Sequence, residues 1–146
     1  MKDARAFYDT NVFVYFWDER EPSKRQQATK LVDAALTSRD NCISLQVVQE
    51  FFNAAFKKFP LLMPRLEADE FCFLIFSAFE FVTYDLTTVS KAIQLRERYQ
   101  LAWYDSLIVA GALQAECTVL YSEDFQHGQV FEGKLTVVNP FTIHKN

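Results

Sequence analysis

Apolar positions alternate along the chain between short continuous runs and stretches with three- and four-residue spacing. Residues 5–8 contain the run Ala6, Phe7 and Tyr8, a strand candidate that ends at Asp9, and "TNVFVYFWDE" then begins something helical or irregular. Ala28, Leu31, Val32, Ala35 and Leu36 recur at helical spacing, which predicts a helix from an N-cap at Ser23 to about Leu36 with that face buried. "NCIS" at 41–44 reads as a second strand. Ser44 is placed to cap the helix "LQVVQEFFNAAFKK", with Lys57 and Lys58 near its negative end and Pro60 stopping it. Pro64 is positioned to open another helix, with Leu66, Glu67, Asp69 and Glu70 in its early turns and "FCFLIFSAF" towards its end.

"FEFVTYD" at 79–85 is expected to be extended. A helix is expected over 87–99, with Val89, Ala92, Ile93 and Leu95 inward and Arg96, Glu97 and Arg98 in solvent. Asp105 precedes the apolar helix candidate "SLIVAGALQAE", "CTVLY" at 117–121 is a β-branched strand candidate, and "LTVVN" at 135–139 supplies a last strand. Short, continuously apolar strands alternating with helices indicate an α/β fold whose parallel sheet is covered on both faces. In such sheets the site lies beyond the carboxyl ends of the strands.

Composition narrows this picture. A length of 146 residues suits one domain spanning 1–146, and 50% hydrophobic residues with only three glycines argue for a sizeable core rather than disorder. The formal charge of −4 disfavours a protein that coats nucleic acid through bulk positive charge, so any nucleic-acid partner needs local help. Cys42, Cys72 and Cys117 are odd in number and widely spaced, which suggests neither a disulfide framework nor a structural zinc site and fits a reducing cytoplasm. The start, with Lys2, Asp3 and Arg5, does not read as a signal peptide. The longest apolar run, at 71–79, falls short of the roughly 18 residues a membrane span needs, so no membrane association is expected.

The chemistry then rests on carboxylates. Asp9 and Asp124 each follow a strand, Glu50 and Asp105 fall on helices, and all four can converge at one end of the sheet. Gathered carboxylates are costly unless cations neutralise them, and oxygen ligands without a His or Cys set select hard ions such as Mg²⁺ or Mn²⁺. His127 and His144 are the two histidines of the chain. Such a site activates water and stabilises charge on an attacked phosphate, which makes phosphodiester hydrolysis the natural reaction. Each acid alone also has a plain structural explanation: Asp9 as a turn residue, Glu50 on a solvated helix face, Asp105 as an N-cap, Asp124 as a loop acid with Glu123 equally available.

Taken in order, "YDTNV", "QEFFN", "YDSLIVAGA" and "LYSEDFQHGQ" resemble the motifs of PIN domains, most closely the short toxin nucleases of the VapC type, over nearly the whole chain. The resemblance implies a three-layer α/β/α fold with a short-stranded central parallel sheet. It also implies a Mg²⁺- or Mn²⁺-dependent ribonuclease that leaves a 5′-phosphate and a 3′-hydroxyl. On these positions Asp9, Glu50, Asp105 and Asp124 form the acidic metal centre, Asp9 and Asp105 most directly, with Thr10, Asn11 and Ser122 as orienting groups. Ser106 and Gly111 depart from the pattern, standing where alanines are usual.

A homodimer and a cognate antitoxin that holds the nuclease inactive are further expectations of the resemblance. The aromatic content, including fifteen phenylalanines, is generous for so small a core and would suit an interface. Lys57, Lys58, Arg65, Lys24 and Arg25 are candidates for a basic rim or plain surface charge, and Phe56 and Phe59 for core or interface. Competing readings are a stand-alone RNA-processing nuclease of the same family and a non-catalytic module that binds RNA or protein. A phosphatase of the haloacid-dehalogenase kind fits less well, because Asn11 stands where its second aspartate belongs.

Overall fold

The computed structural model describes residues 4–59 and 64–142. Lys2, Asp3, Pro60 and His144 lie outside them, so the helix stop expected at Pro60 does too. The described elements are β1 (Ala6–Tyr8), α1 (Thr10–Trp17), α2 (Pro22–Leu36), β2 (Asn41–Ser44), α3 (Leu45–Lys58) and α4 (Arg65–Leu74). A 3₁₀ turn at Phe76–Ala78 leads to β3 (Glu80–Val82), α5 (Leu86–Tyr99), α6 (Trp103–Gln114), β4 (Val119–Tyr121), β5 (Val130–Phe131) and β6 (Leu135–Val138).

The sheet order is β3-β2-β1-β4-β6-β5. The chain builds outward from β1 to β2 and β3, then returns to lay β4 on the other side of β1. That reversal creates a topological switch point between β1 and β4, the place where open α/β sheets form crevices beyond their strand ends. The fold is the three-layer α/β/α arrangement expected, with one correction. The sheet is mostly rather than wholly parallel, because β5 pairs antiparallel with β6. β5 escaped the sequence reading since two residues carry no periodicity; Gly133, at φ +66, and Glu132, at φ 54, supply the tight left-handed turn that reverses the chain there.

Every residue of β1 and of β2 is buried, which is the signature of a sheet covered on both faces. α1 packs against α2 and α3, while α5 packs against α6. Phe51 is fully buried and meets Phe52, Phe71 and Phe76, and Phe13 joins the same aromatic cluster through Phe76 and Phe79. Part of the phenylalanine surplus is therefore core, and Phe59 is buried with it. Phe56, Phe73 and Phe81 remain exposed.

Several local expectations change. α2 begins at Pro22 with Glu21 at the N-cap position, so Ser23 sits inside the first turn; proline at the first helical position costs no hydrogen bond there. Ser44 does occupy the N-cap position of α3, but its side chain makes no capping bond. α5 starts one residue earlier than expected because Asp85 and Thr88 form a reciprocal capping box. Ile93 is half exposed and Thr88 takes a buried place on the inner face. α6 begins at Trp103 with Ala102 at its N-cap position, so Asp105 lies within the first turn and is not the cap.

Phe51→Ala is expected to lower unfolding free energy by about 3–5 kcal/mol, as a large cavity among rings that cannot collapse together. Leu86→Ser, on a side chain 86% exposed, should stay within about 0.5 kcal/mol of the parent. Urea denaturation of the two variants checks both.

Candidate active site

β1 runs into α1 with a single residue between them. That residue, Asp9, is the N-cap of α1, and its Oδ1 accepts the Thr10 N–H at 2.8 Å. Its Oδ2 accepts the Ser122 hydroxyl at 2.7 Å, from the residue that follows β4. Asp9 is only 3% exposed. The carboxylate is thus fixed at the switch point by the end of one strand, the start of one helix and the end of the neighbouring strand. A helix N-terminus favours negative charge there.

Burial nevertheless dominates. It pushes the Asp9 carboxyl up to about 7, and the charges of Asp124 and Glu50 push the same way against the bonds from Ser122 and Thr10. Asp105 is raised by burial and then by Asp124 and Glu50. Asp124 is raised by burial, then by Glu123 and Glu50, with the Asn11 bond opposing. The four acids therefore occupy one electrostatic neighbourhood, graded from buried Asp9 through half-buried Glu50 and Asp105 to exposed Asp124.

Neutral donors hold this group in place. Thr10 Oγ1 donates to Glu50 Oε2 at 2.9 Å, and Gln46 Nε2 donates to Glu50 Oε1 at 3.0 Å. Asn11 Nδ2 donates to Asp124 Oδ1 at 3.1 Å, while the Asp124 N–H donates to Ser122 Oγ at 3.1 Å. Ser122 thus links the first acid to the last. Glu123 turns to a different set of partners: Lys24 Nζ lies 3.2 Å from its Oε2, and the Tyr15 hydroxyl donates to its Oε1. Lys24 also sits 4.6 Å from the centre of the Tyr15 ring.

Lys57 and Lys58 are exposed on the last turn of α3, Arg65 lies 3.6 Å from Asp69 within α4, and Arg25 Nε donates to the Phe16 carbonyl. Sequence reasoning missed Gln46 and Tyr84. Gln46 stands one helical turn before Glu50 and shares its face, a spacing that can be read. Tyr84 comes from the segment after β3, and nothing local announces that its hydroxyl reaches α3.

Among the described residues, no group of three or more His, Cys, Asp or Glu side chains is drawn together as an ion-holding cluster. The chemistry of the donor set still fits a hard divalent cation. It is all oxygen, and three of the four acids have carboxyls raised above their ordinary value, so a cation there would relieve a cost already present.

The model of the PIN domain family matches residues 6–130. The chain belongs to the PIN domain family. No curated protein sequence matches it. Among solved structures, it resembles a toxin–antitoxin complex from Klebsiella pneumoniae at 22% identity and a TM-score of 0.69, over 94% of this chain and 99% of that one. FitAB bound to an IR36 DNA fragment is similar at 19% identity and a TM-score of 0.71, covering 96% and 98%. VapC20 of Mycobacterium tuberculosis, described as a sarcin–ricin loop cleaving toxin, is similar at 14% identity and a TM-score of 0.55, covering 80% and 88%. At these identities the likeness is one of fold.

A carboxyl raised in the folded state loses stability on ionising: the folded protein holds the Asp9 proton more tightly than the unfolded chain does. In chelator, Asp9's own contribution to stability is therefore expected to be greatest below the ordinary carboxylate value and to fall as pH rises towards about 7. Asp9→Asn should flatten that fall by roughly 2–4 kcal/mol, an amount fixed by the energy of a shifted carboxyl. Denaturant unfolding of both proteins across this pH range measures it.

Proposed function

We propose that this PIN domain protein is a Mg²⁺- or Mn²⁺-dependent ribonuclease and the toxin of a toxin–antitoxin pair. The observation that carries the reading is Asp9, a carboxylate buried at the switch point that feels the charges of Asp124 and Glu50, the same two acids that act on Asp105. A buried acid of that kind, in a family of nucleases, is a site built to receive positive charge.

In this reading Asp9 and Asp105 would hold the ion most directly, with Glu50 and Asp124 completing its surroundings. The bound ion supplies a more acidic water and neutralises charge on the phosphate. The chain's own residues do the rest. Ser122 and the Thr10 N–H keep both Asp9 oxygens pointed, Thr10 and Gln46 fix the two oxygens of Glu50, and Asn11 holds Asp124 at the exposed mouth. RNA enters on the Asp124 side, where the acids reach solvent.

The toxin assignment draws on the fold neighbours, two of which are toxin or toxin–antitoxin structures by name, and the RNA assignment on the one described as a sarcin–ricin loop cleaving toxin. The partners proposed are an RNA substrate, a cognate antitoxin and a second copy of this chain. Exposed Phe56, Phe73, Leu74, Phe81 and Leu86 give apolar surface for such protein contacts. We further propose that residues 1–146 make up one domain of this kind, acting in the cytoplasm. No helix among the described residues is long and apolar enough to cross a membrane.

Mn²⁺-dependent cleavage of an RNA pool that includes structured ribosomal loops tests the reading. The wild type should cut, chelator should stop it, and Asp105→Asn should lower the rate about 100-fold, as expected for loss of a carboxylate that holds the ion. Since Ala102, not Asp105, stands at the helix N-cap position, the unfolding temperature of Asp105→Asn should stay close to that of the wild type. Equal cleavage by the two proteins would remove Asp105 from the site; an inert wild type that binds no Mn²⁺ would favour a binding module.

A further inference from the structure

The ring of Tyr84 lies between α6 and α3. Its hydroxyl donates to Gln46 Oε1 at 3.0 Å and makes a second bond of 3.0 Å with Ser44 Oγ. A phenol has one proton; with that proton given to Gln46, Ser44 is the donor in the second bond. This explains why Ser44 stands at the head of α3 without capping it. Gln46 then has its oxygen committed to Tyr84, and its NH₂ group donates hydrogen bonds to Glu50 Oε1 at 3.0 Å and to the Tyr104 carbonyl at 3.1 Å.

A terminal amide can sit in two orientations related by a half-turn. The reversed one would aim the Gln46 oxygen at the Glu50 carboxylate and at the Tyr104 carbonyl, two acceptors that offer it no proton. The two acceptors set the amide's orientation, and the Tyr84 hydroxyl, by donating to its oxygen, holds the side chain where Glu50 keeps its donor. The other oxygen of Glu50 is held independently by Thr10.

Gly111 makes room for this arrangement. A Cβ at that position would stand 2.6 Å from Tyr84 Cε1 and 3.1 Å from the hydroxyl oxygen. Its backbone is ordinary helix, so the glycine answers to the ring rather than to a turn. Burial pushes the phenol up to about 12, so it stays protonated and remains a donor at any physiological pH.

We infer that Tyr84, seated in the space left by Gly111, is a positioning residue for Glu50 and acts through the Gln46 amide. The inference rests on the reading of the acidic group as a cation-dependent site. The test is Mn²⁺ affinity, followed by the EPR signal of free Mn²⁺, for the wild type, Glu50→Gln, Gln46→Ala, Tyr84→Phe and the Gln46→Ala/Tyr84→Phe double variant, with RNA cleavage alongside. Tyr84→Phe keeps the ring and its packing, so folding is preserved, and affinity is expected to weaken about 10-fold, the usual effect of losing a group that orients a ligand. In the Gln46→Ala background the same change should add nothing, because its route to Glu50 is gone. A merely structural role for Tyr84 would weaken both backgrounds alike. Gly111→Ala should reproduce the loss, and should be harmless once Tyr84→Ala has removed the ring.

The inference is overturned if Tyr84→Phe binds Mn²⁺ within twofold of the wild type while Glu50→Gln binds it poorly, or if the two single losses simply add. If the wild type binds no Mn²⁺, or Glu50→Gln binds as the wild type does, the cation-dependent reading of the site falls first and takes the inference with it.

Discussion

The end of the sheet is organised around one carboxylate held out of water. Asp9 sits where β1, α1 and the end of β4 meet, and each contributes a group to it: the β1 chain carries it, the α1 backbone N–H and the Ser122 hydroxyl bind its two oxygens. Its own N–H donates to the Tyr121 carbonyl at 3.0 Å, so the sheet ladder continues up to the acid itself. Burial outweighs these bonds, and the carboxyl is raised. An acid in that condition is a poor choice for stability alone, which makes the end of the sheet the candidate place of chemistry.

The surroundings of the acids are built from hydroxyls and amides rather than from ammonium or guanidinium groups. Thr10, Asn11, Ser122 and Gln46 orient carboxylates without neutralising them. Lys24, which comes close to this end of the sheet, is taken up by Glu123 and Tyr15. The negative potential of the group is thus preserved rather than cancelled internally. Two carboxylates adjacent in sequence are divided between two tasks: Asp124 faces the acids, and Glu123 ties β4's trailing loop to α1 and α2.

Much of this was legible in the chain. The runs "AFY" and "NCIS" became β1 and β2, and "LQVVQEFFNAAFKK" became α3 residue for residue, because continuous apolar runs and helical spacing report the two things that decide these elements, burial and periodicity. The order of the acid-bearing motifs pointed to the family that the match over residues 6–130 establishes. Helix starts were read less well. Ser23, Ser44 and Asp105 all have capping chemistry, yet Glu21 stands at the N-cap position of α2, Ser44's hydroxyl answers to Tyr84, and Ala102 precedes α6. Capping preference is a local tendency of about 1 kcal/mol, and at Ser44 a tertiary hydrogen bond overrides it. Tyr84 and the β5 strand were illegible for a related reason: their roles are set by partners 38 or more residues away for Tyr84 and by a two-residue pairing for β5.

The sheet has two edges, β3 and β5, of three and two residues. An incoming strand would find only two or three backbone groups to pair with on either side, too few to register an extended peptide. At the β3 edge, Glu80 is moreover held by Arg5 at 2.8 Å. Strand addition at either described edge would therefore gain few backbone bonds, and docking rests on side chains, exposed Phe81 of β3 among them.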